Sequence, residues 1–133
     1  MTNPADMIGL WSVDRRFGSG AQEDCLAYFG ADGRGVYVRL NLAGSAGCVF
    51  LWALEHDALT TRITRLFADM PPELSDIEGE AWEHRERPVA VGEETTLVGP
   101  QRILRFTDGT SEEDAFAFLH SNPPRAIVEA LNL

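Results

Sequence analysis

The sequence predicts a mainly β protein: an eight-stranded antiparallel up-and-down barrel with a short C-terminal helix. Three observations carry the prediction. Apolar and polar residues alternate at period two, most cleanly where Val36, Val38, Leu40 and Leu42 interleave with Tyr37, Arg39 and Asn41. Asp32-Gly33 and Asp108-Gly109 sit between such runs, and Asp-Gly is a strong hairpin signal because both residues tolerate positive φ. No βαβ alternation and no internal repeat is present, so closure of one sheet is the economical way to remove exposed edges.

Residues 1–7 read as a loose N-terminal tail, since Pro4 discourages regular structure. Ile8 to Asp14 is the first strand, with Trp11 and Val13 on one face. Phe17 to Asp24 is a Gly-rich polar loop, longer than a hairpin needs. Cys25 to Gly30 is the second strand. The third follows the Asp32-Gly33 turn, and its pattern places Val36, Val38, Leu40 and Leu42 inside and Arg39 outside. Cys48 to His56 is apolar on both faces, Phe50, Trp52 and Leu54 against Val49, Leu51 and Ala53. A single wall should be wet outside, so a helix or a second subunit must cover this strand.

Leu59 to Ala68 carries Leu59, Thr61, Ile63, Arg65 and Phe67 on one face, and its Thr and Ile favour strand. Met70 to Gly79 is an acidic, Pro-containing loop. Glu80 to Val91 is a weaker strand with Trp82 and His84, and Gly92-Glu93-Glu94 turns the chain. Thr95 to Val98 and Gln101 to Thr107 form the next strand, interrupted by Gly99-Pro100, which implies a bulge or an edge. Ser111 to His120 combines a helix-cap pattern with Phe116 and Phe118 at period two, and is read as a strand. After Pro123-Pro124, Ile127, Val128 and Leu131 stand at helical spacing, so residues 123–133 form the closing helix. The whole chain, 1–133, is one domain.

The net charge of −10 argues against nucleic acid and anionic membranes as partners and permits a basic one. The chain has no Lys, so no Schiff-base lysine is available. No apolar run approaches the ~18 residues of a membrane span, and Met1 to Asp6 lacks a signal-peptide pattern; the expected compartment is the cytoplasm. Cys25 and Cys48 fall on strands separated by a third, hence about 10 Å apart. A disulfide needs less than about 7 Å, so two buried thiols are expected.

Gly9-Leu10-Trp11, Phe29-x-x-Asp32-Gly33-x-Gly35 and Phe50-x-Trp52 resemble the pattern of small bacterial lipocalin-like (calycin) domains. The resemblance implies a calycin barrel with a small apolar cavity. It also implies a Trp plugging the closed end with a late Arg or Lys stacked on it; Arg125 is the candidate. A shared fold does not by itself imply a shared function.

No catalytic constellation emerges. His56, His84 and His120 have no metal-binding spacing, and no nucleophile elbow or phosphate loop is present. No cofactor or metal is expected, and the enzyme reading has nothing behind it. Glu80 with Glu83, and Glu112 to Asp114, read as solvated surface. The aromatic residues carry the most information. Tyr28, Phe50, Trp52, Trp82, Phe106 and Phe118, with Val38 and Leu40, form a candidate barrel interior. That interior either lines a pocket for a small apolar or aromatic ligand or is a filled core, as eight-stranded barrels allow. The alternative function is a protein-interaction module. It would be a homodimer through strand 48–56, or an acidic partner of a basic protein, in the manner of an immunity protein.

Overall fold

The computed structural model describes residues 2–13, 24–41, 44–68, 85–108 and 115–132. In chain order these form α1 (Pro4–Met7), β1 (Gly9–Ser12), β2 (Asp24–Phe29), β3 (Arg34–Asn41) and β4 (Gly44–Glu55). Then follow β5 (Ala58–Ala68), β6 (Arg85–Thr96), β7 (Gly99–Phe106), β8 (Ala115–His120) and α2 (Arg125–Leu131). All pairs are antiparallel and sequential, and β1 bonds to β8 as well as β2, closing the hydrogen bonding into a ring. The Gly-rich stretch 17–23, the acidic stretch 70–79, Trp82 and His84 lie outside the described residues.

One cluster draws residues from every strand and therefore fills the inside of the ring. It contains Trp11, Ala27, Phe29, Tyr37, Cys48, Phe50, Leu59, Val89, Leu104 and Phe116, all buried. A second cluster lies on the outside: Leu10, Val36, Val38 and Val49 beneath Ile127 of α2. The alternation of β3 is thus real, but its faces are the reverse of the sequence reading. Val36 and Val38 point outward. Gly35, Tyr37 and Arg39 point inward, paired across the sheet with Phe50, Cys48 and Ala46. The apolar face of β3 is the one covered by α2, so it looks like a core face although it lies outside the ring.

Small inner residues make room for large ones. A Cβ at Gly35 would stand 2.5 Å from the Phe50 ring, so this ring lies across the glycine. Cys25 and Cys48 are buried and neither is in a disulfide. Among the described residues, no buried side-chain nitrogen or oxygen lacks a hydrogen-bond partner.

Three sequence assignments are corrected. The N-terminal residues are not loose: Thr2 N donates to Asp57 Oδ1 at 2.5 Å, Asn3 N to Asp6 Oδ2 at 2.9 Å, and Met7 is fully buried inside the ring. Gly92-Glu93-Glu94 is strand, not turn; β6 runs on to Thr96 and the chain reverses at Leu97-Val98, where Gly99 takes a φ of 103°. Two apolar residues at a hairpin tip give no turn signal, which is why the reversal is misplaced from sequence. Finally, Arg125 does not cover Trp11. Its side chain is 92% exposed and pairs with Glu129. Arg102 does so instead, its Cζ 5.5 Å from the Trp11 ring and 5.3 Å from that of Phe118.

Gly35→Ala would push the Phe50 ring out of place. The expected result is a loss of about 1–3 kcal/mol, read as a lower urea midpoint at unchanged slope. A variant as stable as the parent would mean that this close approach does not constrain the ring.

Candidate functional site

The site starts with a bulge in β5. From Glu55 back to Phe50, β4 pairs in step with Ala58 to Ile63; Val49 then pairs with Arg65, leaving Thr64 as the extra residue. The Thr64 hydroxyl donates to the Val49 carbonyl at 3.2 Å. One inserted residue moves everything beyond it to the other face. Leu59, Thr61 and Ile63 keep the inner face, opposite Leu54, Trp52 and Phe50. Arg65 shares the outer face with Val49, and Phe67 packs there against the cluster of Val36 and Val38. The uninterrupted period-two pattern of 59–67 contains no sign of this switch.

Helix α2 supplies the opposite wall. Pro124 precedes it, and its carbonyl accepts from Ile127 N at 3.0 Å and Val128 N at 3.2 Å. Ile127, only 4% exposed, is the side chain that seats the helix on the sheet. Two arginines of the sheet hold the far end: Arg34 donates to the Leu131 carbonyl at 3.1 Å, and Arg65 donates to that of Ala130. Carbonyls in the last turn of a helix have no partner within it, and these guanidinium groups serve them.

Between helix and sheet runs a groove of about 440 Å³. Leu26, Val36, Val38 and Phe67 form its floor. Ala126, Ile127 and Ala130 form the helix side, and Arg65 and Glu129 are its charged residues. Glu129 is engaged by Arg125 at 3.0 Å. Tyr28 packs against the same outer cluster, and burial pushes its phenol up, with the Asp32 carboxylate adding to the effect.

The Asp32-Gly33 turn ties the groove to the ring. Gly33, at φ 84°, closes the turn with its N–H on the Gly30 carbonyl at 3.1 Å. Trp52 binds it twice, from its backbone N to Gly33 O at 2.9 Å and from its indole N to Gly30 O at 3.1 Å. Asp32 accepts from the Arg34 side chain at 2.8 Å and its backbone N at 3.0 Å, which orients the guanidinium that also caps α2. These contacts, the side-chain bond first, hold the Asp32 carboxyl below its usual value.

The residues proposed from sequence as one interior set therefore divide. Phe50, Trp52, Phe106 and Phe118 belong to the cluster inside the ring, with Phe50 and Phe106 buried. Tyr28 and Val38 belong to the outer cluster. Leu40 lies on β3 in register with Asp24 and Ser45. Trp82 is outside the described residues. Sequence reading missed Arg65, Phe67 and Ala126 as site residues; the helical spacing of Ile127 is the one signal that pointed to this face. The two-sided strand 48–56 is covered in part by the protein's own helix: Val49 is buried beneath α2, while Leu51 is 43% exposed.

No known family model matches the chain, and no curated protein or solved structure is significantly similar to it. Among the described residues, no group of His, Cys, Asp and Glu is arranged to hold a metal ion, and no helix is long and apolar enough to cross a membrane.

The lowered Asp32 carboxyl has a pH consequence. A carboxyl whose folded value lies below its unfolded one stabilises the fold above the unfolded value, roughly pH 4, and the contribution is lost as pH falls through the folded value. Asp32 is half-exposed, so the contribution is at most about 1 kcal/mol. Thermal melts of Asp32→Asn and the parent should converge as pH drops below about 4, with the parent the more stable above it. A constant difference down to pH 2 would rule out the ionised Asp32–Arg34 contact as its source.

Proposed function

We propose that this chain is a lipocalin-like barrel that binds a small apolar ligand, held between its outer wall and α2. The groove carries this reading. Its volume of about 440 Å³ lies within the roughly 300–1,000 Å³ of ligand sites, and its lining is apolar with few polar groups. The interior, the site favoured by the resemblance, holds Trp11, Phe29, Phe50 and Phe116, each no more than 2% exposed. Bulk of this kind supports a filled core over an internal pocket. The lipocalin-like part of the reading is supported by Gly9-Leu10-Trp11, with Trp11 Nε1 donating to Met7 O at 2.8 Å and Arg102 stacked over the ring.

A methyl-detected NMR titration with 1-decanol tests it. Shifts are expected at Val36, Val38 and Ile127. Ala126→Trp, which fills the groove from the exposed side of the helix, should abolish them and move the melting temperature by no more than about 4 °C. Shifts centred on Leu59 and Leu104 would return the site to the interior and overturn the groove assignment.

A second reading, an interaction module, is favoured by exposed apolar side chains: Leu97 at 84%, Val98 at 51% and Leu51 at 43%. Sedimentation would support it through a dimer that Leu51→Glu dissolves. A monomer at every concentration would remove the homodimer through strand 48–56.

A further inference from the structure

The groove's lining includes two charged residues, Arg65 and Glu129, that its apolar character does not account for. Five of the described arginines are paired with carboxylates: Arg34 with Asp32, Arg87 with Asp108, Arg102 with Asp6, Arg105 with Glu94 and Arg125 with Glu129. In a chain of net charge −10, such pairing is the ordinary fate of an arginine. Arg65 is different. Among the described residues no carboxylate pairs with it; it donates to the Ala130 carbonyl, and its Cζ stands 5.7 Å from the Phe67 ring. A guanidinium has five N–H donors, and one carbonyl leaves most of them for another acceptor. The one carboxylate lining the groove, Glu129, is held by Arg125 at 3.0 Å.

We propose that the groove takes a single-tailed amphiphile with an anionic head, its tail along Leu26, Val36, Val38 and Ile127 and its head on Arg65. This deepens the small-ligand reading above and rests on it. The bulge at Thr64 is what makes the arrangement possible, because it turns Arg65 outward beside the apolar floor. Arg62 stands on the same outer face, in register with Leu51, also with no carboxylate partner among the described residues. Glu55 and Glu86 share that face, so the cationic groups offered to a head are those of Arg65 and Arg62 themselves and not a general excess of positive charge. A carboxylate head would accept two parallel N–H bonds from the guanidinium, a geometry an alcohol cannot match.

The test compares decanoate with 1-decanol, which share the tail and differ in charge at the head. With the intact protein, decanoate is expected to bind at least about tenfold more tightly, as a charge-assisted bond implies. Raising the salt should narrow that ratio. Arg65→Met should bring decanoate to the affinity of decanol, and Arg65→Lys should keep a preference for decanoate. Should Arg65→Met lose both ligands through release of the helix, the ratio in the intact protein and in Arg65→Lys decides. Equal binding of decanoate and decanol to the intact protein overturns the anionic head and leaves the apolar groove standing. Binding of neither overturns the small-ligand reading itself, and the anionic head with it.

Discussion

The contact between Ile127 and the outer face of β2, β3 and β4 governs how the rest of the molecule is arranged. An isolated ring of strands would wet its outer wall, and its apolar residues would point inward. Here a patch of outer wall is itself apolar, and burying Ile127 on it contributes on the order of 2 kcal/mol. The helix that does so has seven residues, too few to hold together alone. It is held by packing at Ile127 and by Arg34 and Arg65 on its last carbonyls. That geometry leaves a mostly apolar groove with Arg65 and Glu129 as its charged members, because the short helix covers the patch incompletely.

Inside the ring, the core packs beside α1 and is bonded to it. Met7 enters from α1, its carbonyl accepts the Trp11 indole N–H, and Arg102 lies over Trp11 and Phe118 while donating to the Asp6 carbonyl at 2.5 Å. Trp52 joins this packing from β4 while bonding the β2–β3 turn, and its ring meets Phe29 edge-on at 5.4 Å. Such aromatic contacts are directional as well as apolar, which favours one arrangement of the core over many. Met7, Trp11 and Phe29 pack together in the buried cluster inside the ring, with Trp52 and Phe118 against it.

Much of the architecture was legible because local chemistry and fold agree. The Asp32-Gly33 turn, the strands on both sides of it and the helix after Pro123-Pro124 all follow from short-range signals. The site was less legible, for two physical reasons. Period two separates two faces but does not say which is inside, so Val36 and Val38 were assigned to the wrong side. A bulge has no composition of its own, so nothing in 59–67 announced that Arg65 and Phe67 part from Ile63.

By itself the sequence determined most of the strands, their order and the existence of a terminal helix, since these depend on residues near one another in the chain; the β6–β7 reversal at Leu97-Val98 was the exception. The sequence also pointed to a cover over strand 48–56, which the structure supplies at Val49 and leaves off Leu51. Only the tertiary structure decided what the cover was, which face of β3 it fell on, and that Arg65 stands at its edge. Those outcomes depend on where α2 lands and on one extra residue in β5, and both are set by contacts between segments far apart in sequence. The inward Arg39 has the same origin: it follows from which face of β3 the helix took.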